Sequence, residues 1–143
     1  MVDRITSRLQ AALPAVAESA SGSVQQREAV LTLLGEFLPL DEERAVDVCV
    51  WMAFRNAARI RPFLTTVADR SHREVAAVVG QVITAMVTDD GDGQHSLVVE
   101  AERLLATVDG LCMHALLQPE WMTALMCRDV LDRHLTGLAV LSA

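Results

Sequence analysis

Residues 108–122 read VDGLCMHALLQPEWM, and the fold turns on how this stretch is covered. An Asp-Gly pair and a histidine interrupt a run that is otherwise almost wholly apolar. Just upstream, Leu104, Leu105, Ala106 and Val108 join Leu111, Cys112, Met113, Ala115, Leu116 and Leu117 in covering nearly every direction around a helix. A helix that is apolar all round is covered all round. The reading is therefore a helix over 96–117 sandwiched between its own domain and a second copy of the chain. The alternative is the central helix of a monomeric bundle. Gly110 favours the sandwich: a glycine inside a helix costs ~1 kcal/mol relative to alanine, and close approach of another helix backbone offsets that loss. Ala106, one turn earlier, extends the same shallow groove.

Working outward, Gln118-Pro119-Glu120 makes a corner that returns a last helix, about 124–140, beside this one. The spacing turns Cys127, Val130, Leu131, His134, Leu135 and Leu138 inward on it. Two such hairpins facing each other make an intermolecular four-helix bundle. The expected dimer interface is Ala106, Gly110, Leu111, Cys127, Leu131, Leu135 and Leu138.

Toward the N-terminus the breakers mark four more helices. The first covers 2–18, with Ile5, Leu9, Ala12, Leu13 and Val16 at helical spacing and Pro14 marking a kink or an end. The second covers 24–38, with Val30, Leu31, Leu34, Phe37 and Leu38 along one side, and Pro39 stops it. Asp41 is a good N-cap, and Glu42 and Glu43 suit the positive end of a third helix reaching Ile60. The fourth covers 63–88, with a seam of Leu64, Val67, Ser71, Val75, Val78, Val82 and Met86. The acidic turn DDGDG at 89–93 lacks the downstream ligands and closing glutamate of a calcium loop. The expected architecture is all-α: an antiparallel bundle of about six helices in one domain, 1–143.

Composition narrows the function. The 143 residues carry a net charge of −7, with 12 arginines and no lysine, so the domain repels phosphate backbones. Hydrophobic residues reach 52% with only 3% aromatics, an apolar excess suited to a partner surface. No stretch approaches the ~20 apolar residues of a bilayer span. The N-terminus mimics a secretion signal only faintly, being broken by Asp3, Gln10 and Pro14. Cys49, Cys112 and Cys127 are odd in number and unpaired in spacing, which reads as buried thiols in a reducing cytoplasm. Histidines 72, 95, 114 and 134 fall one per segment without metal-ligand spacing, and no cofactor is expected. No nucleophile elbow, phosphate loop or paired-carboxylate motif occurs. Cys112 and His114, two residues apart, point to different helix faces and cannot act as a nucleophile–base pair. The sequence does not read as an enzyme.

A pocket is expected near AVDVCVWMAFRNAARI (45–60), which is apolar almost all round apart from Asp47 and so is expected to lie centrally. Trp51, Met52 and Phe54 stand beside Arg55 and Asn56, a grouping suited to a mostly apolar ligand with one polar end. The same residues serve equally as plain core with Arg55 reaching out to water. Met86, Met113, Met122 and Met126 offer an adaptable lining, and His114 is either a pocket handle or an ordinary core or interface residue. The ligand-binding candidates, chosen on chemistry, are Trp51, Met52, Arg55, Met86 and His114.

REAVLTLLGEFLPLDEERAVDVCVWMAFRNAARIRPFL, then a long helix, an acidic loop, LLATVDGLCMHALLQPEWMT and VLDRHL occur in that order. Together these pieces resemble the C-terminal body of tetracycline-repressor-type (TetR) transcriptional regulators, in the branch with a betaine-regulator-like domain. The resemblance covers almost the whole chain, and its most specific part is the VDGL…ALLQPE corner with the amphipathic helix after it. It implies a homodimer through the last two helices and an effector pocket enclosed by the middle ones. Such regulators begin with a helix-turn-helix module that reads the major groove. Here MVDRITSRLQ resembles the start of the helix joining that module to the body, with residues 1–19 as the linking helix. DNA contact is thus expected only through a module absent from this sequence, by truncation or in a naturally headless protein. In a complete regulator the resemblance implies that ligand favours one dimer geometry and releases operator. Two other readings stand beside it: a headless subunit that pairs with full-length relatives, and a small all-α enzyme using Cys or His.

Overall fold

Most helix ends fall close to the breakers in the sequence. The computed structural model describes residues 2–87 and 93–141, as α1 (Val2–Glu18), α2 (Val24–Gly35), α3 (Glu42–Ala58), α4 (Pro62–Met86), α5 (Gly93–Leu117) and α6 (Ala124–Leu141). No strand occurs among the described residues. The acidic stretch at 89–92 and the side chain of His95 lie outside them. Ser23, Asp41 and Thr123 cap α2, α3 and α6 by accepting from the backbone N–H groups of Gln26, Arg44 and Met126 at 3.0, 2.8 and 3.2 Å. Pro62 opens α4, where its missing N–H costs nothing, whereas α1 runs on through Pro14. The second helix stops at Gly35, three residues short of the expected Leu38. Glu36, Phe37 and Leu38 instead donate to carbonyls three residues back, tightening the chain before Pro39.

The hub is α4, which packs on α1, α3 and α5, while α6 closes against α2 and α5. Val79, Val82 and Ile83 of α4 meet Leu33 and Leu34 of α2 and Leu104 and Val108 of α5 in one core. Ion pairs fix the outer helices. Arg27 on α2 reaches Asp132 at 2.6 Å and bonds Thr136, and Arg128 on α6 reaches Glu28 at 2.7 Å, holding α2 and α6 side by side.

The third helix departs from expectation. It is peripheral, and only Asp47 and Val48 on it are buried. Val46, Cys49 and Val50, which looked like core, face outward, while Asp47 is 1% exposed. The reason lies on α1, where Arg4 and Arg8 both bond the Asp47 carboxylate, Arg8 at 3.1 Å. Arg8 also stands 3.1 Å from Glu36, which receives Arg44 at 2.9 Å. Burial pushes the Asp47 carboxyl up, but the hydrogen bonds from Arg8 and Arg4 outweigh it and hold the group below the usual aspartate range. A charge in an apolar run therefore marks the inward face here.

Candidate functional site

Between α1, α3, α4 and α5 lies a cavity of about 410 Å³, within the size range of small-molecule sites. Its depth is apolar: Ile5 from α1, Phe37 after α2, Val48 on α3, Val75 on α4, and Leu105 and Val108 on α5. Ser71, itself buried, adds a hydroxyl. Polar groups gather toward solvent, with Asn56, Arg59 and His72 exposed along the rim.

The organising contact is Arg55 with Asp109. Its two terminal nitrogens meet both carboxylate oxygens of Asp109 at 3.0–3.1 Å, a fork-to-fork pair that ties α3 to α5 beside the cavity. The same guanidinium lies 5.8 Å from the Trp51 ring centroid, close enough for cation–π attraction. Trp51 leans on Phe54 at 6.3 Å between centroids. Arg55 is therefore held from two sides.

Three sequence candidates, Trp51, Met52 and Arg55, line this cavity, and two do not. Met86 stands at the far end of α4, packed against the core. His114 is exposed on the outer side of α5; its neighbour Met113, also largely exposed, reaches the edge of the cavity. Sequence reasoning missed Asp109 and His72 as members. For Asp109 the available signal was its charge in an apolar helix, since an acid there needs a cation, and Arg55 was the arginine beside the aromatics.

The thiols divide by position. Cys112 lines the cavity floor and its Sγ–H donates to the Phe37 carbonyl at 2.9 Å. Burial, with Asp109 adding to it, pushes this thiol up to about 12, so it stays protonated and unreactive. Cys127 is buried and raised for the same first reason. Cys49 is exposed, against the expectation of three buried thiols, because α3 turns that face outward. Among the described residues no cluster of His, Cys, Asp or Glu could hold a metal ion, and no helix is long and apolar enough to cross a membrane.

The expected dimer residues also divide. Leu111, Cys127, Leu131, Leu135 and Leu138 are 0–5% exposed within the protomer. Their own core already covers them, so a partner would not reach them. Val130, expected inward, is turned out. The bare surface of α5 is the next row round: Ala106, Gly110, Met113 and Leu117, at spacings of four, three and four. On α6 the matching row is Met126, Val130, Arg133 and Gly137. A Cβ placed on Gly110 or Gly137 would meet nothing within 4 Å. The groove at Gly110 is thus open on the protomer. Leu117, Trp121 and Leu125, 67–74% exposed, carry the apolar surface around the corner.

Comparison with known proteins places this architecture. The model of the C-terminal domain of BetI-type transcriptional repressors matches residues 26–140. The HTH-type transcriptional regulator PksA of Bacillus subtilis is 32% identical over 115 residues, spanning 80% of this chain and 55% of that protein. The chain thus spans about half the length of the curated relative it matches. In fold it is similar to the crystal structure of a transcriptional regulator from Rhodococcus sp. Rha1, with a TM-score of 0.80 at 22% identity. That alignment covers 99% of this chain and 84% of the other.

Proposed function

The chain belongs to the BetI-type transcriptional repressor C-terminal family, a family of regulators and not of enzymes, and from this we propose that it is the effector-binding and dimerisation body of such a regulator. The effector occupies the cavity between α1, α3, α4 and α5. Two bodies pair through α5 and α6 in an intermolecular four-helix bundle. In a complete regulator, occupancy shifts the geometry of two DNA-reading modules and releases operator.

One observation carries the reading: α1, which resembles the linking helix of such regulators, forms part of the cavity wall through Ile5 and Thr6. A ligand there touches the element that would carry the signal. The Asp47 ion pairs with Arg4 and Arg8 couple α1 to α3, the helix that presents Trp51 and Arg55. Movement of either helix is thereby felt by the other, which is what coupling of binding to a second state requires.

The pairing surface in this reading is the bare row on each helix. Ala106 and Gly110 on α5 let a partner backbone approach closely, and Met113, Leu117, Met126 and Val130 supply apolar area. Sedimentation of the chain tests it. A species of about twice the 15.5 kDa protomer is expected, and a protomer that stays single at high concentration overturns it. Replacing Ser71 by Phe fills the cavity, and loss of ligand-induced thermal shifts with the dimer intact is the result expected for the pocket.

A further inference from the structure

We infer that the cavity takes an anionic amphiphile, a carboxylate on an apolar body, whose head group replaces Asp109 on Arg55. This rests on the pocket reading above and names its ligand class. The first reason is charge. The chain carries 19 acidic groups against 12 arginines, yet the cavity is lined by two arginines, Arg55 and Arg59, and a single acid, Asp109. The cavity therefore reverses the sign of the molecule around it. An anion is favoured in a cavity where arginines outnumber acids.

The second reason is geometry. Asp109 already occupies Arg55 through both terminal nitrogens at 3.0–3.1 Å. It is an internal stand-in showing where a ligand carboxylate sits and how it is held. Its side chain is 41% exposed, so when displaced it is rehydrated at little cost. The ligand carboxylate, by contrast, comes attached to an apolar body that Val48, Val75, Leu105 and Val108 cover. That burial drives the exchange.

The same facts disfavour a cationic head group. The Arg55 guanidinium already lies over Trp51, one of the two aromatic rings that line the cavity, and Arg59 repels a second positive charge. The exchange also releases the α3–α5 tie at Asp109, which sits beside Gly110 on the bare row. Ligand occupancy is thereby felt at the surface proposed to meet the partner.

Tryptophan fluorescence tests the proposal directly. The chain has two tryptophans, and Trp121 is exposed at the α5–α6 corner, so W121F leaves Trp51 as sole reporter. That protein is titrated with octanoate, octanol and octyltrimethylammonium, and with the three matching 4-phenylbutyl compounds. The carboxylate is expected to bind about ten-fold tighter than the alcohol, the worth of a charge-assisted pair in a partly wet site. The ammonium is expected to be weakest. Adding D109N removes the competitor and raises the carboxylate-to-alcohol ratio a further several-fold, while R55Q brings that ratio to about one. Because each ratio is taken within one variant, partial destabilisation cancels. Equal binding of acid and alcohol, or a ratio unmoved or lowered by D109N, overturns the anion assignment and leaves the pocket standing. Silence of Trp51 toward all six compounds overturns both.

Discussion

Asp47→Asn is the substitution that most directly tests how this fold is held. It keeps the shape of the side chain and removes its charge. Asp47 is 1% exposed and bonded by Arg4 and Arg8, whose side chains are 55% and 25% exposed. Removing one partner of a fully buried ion pair costs about 3–5 kcal/mol. Here Arg4 can turn to water, and Arg8 keeps Glu36 at 3.1 Å, so screening reduces the loss to about 2 kcal/mol. For a chain of this length that lowers Tm by roughly 5–8 °C. The pH dependence gives an independent check. The folded Asp47 carboxyl lies below its ordinary value, so its contribution is fully present above the unfolded aspartate value of about 3.9 and is lost as pH falls through the folded one. Thermal melts of parent and variant followed by circular dichroism should differ most near neutrality. The gap should close as the solution is acidified. A variant that melts with the parent at neutral pH would refute the claim that this ion pair fastens α3 to α1. A gap that persists undiminished in acid would show the loss to be one of shape alone.

Four further outcomes follow from the same packing. Met113→Glu with Val130→Glu places charges on the bare rows of α5 and α6 and should give a folded single protomer by light scattering. Leu131→Arg, aimed into the core, should abolish the cooperative melt instead, and clean dissociation with an intact melt would show that Leu131 faces a partner after all. Of the three thiols, Cys49 alone should react promptly with dithiobis-nitrobenzoate under native conditions, since it is exposed whereas Cys112 and Cys127 are buried with raised thiol values; prompt labelling of two or three would contradict this. Leu34→Ala, at a position with no exposure, should cost about 2–5 kcal/mol in denaturant unfolding. A loss near zero there would mean that the core is not close-packed around α2.

Helix number and boundaries were legible because they depend on local chemistry. Pro62, the cap at Asp41 and the Gln118-Pro119 corner act within a few residues of themselves, and sequence displays such signals directly, whereas α2 ends at Gly35, short of Pro39. Sidedness was less legible because it depends on what lies opposite. On α5 and α6, apolar residues occupy two adjacent rows. Periodicity says that both want cover without saying which row the protomer covers itself. The structure assigns Leu111, Leu131 and Leu135 to the core and leaves Met113 and Val130 outside. Choosing among leucines, valines and methionines by hydropathy could not separate these rows. Relative bulk was informative: the inner row of α6 is built largely of leucine, while the outer row of each helix holds a glycine.

The pocket shows the opposite kind of legibility, because its decisive groups are charged and a buried or half-buried charge demands a partner. Asp47 and Asp109 each interrupt an apolar segment. Read by hydropathy they look like solvent-facing blemishes. Read by electrostatics they require cations, and a sequence with 12 arginines offers few placements that fit. Arg4 and Arg8 sit one helical turn apart, flanking the buried Ile5 and Leu9, so both can converge on a single carboxylate on a crossing helix. Arg55 follows Trp51 by four residues, which stacks its guanidinium over the ring and leaves its fork free to meet Asp109. Each acid thus identifies which helix crosses which: Asp47 joins α3 to α1, and Asp109 joins α5 to α3. Those two crossings bound the cavity. In this all-helical chain, where apolar rows are interchangeable, the few acids inside apolar runs carry more of the tertiary information than the leucines around them.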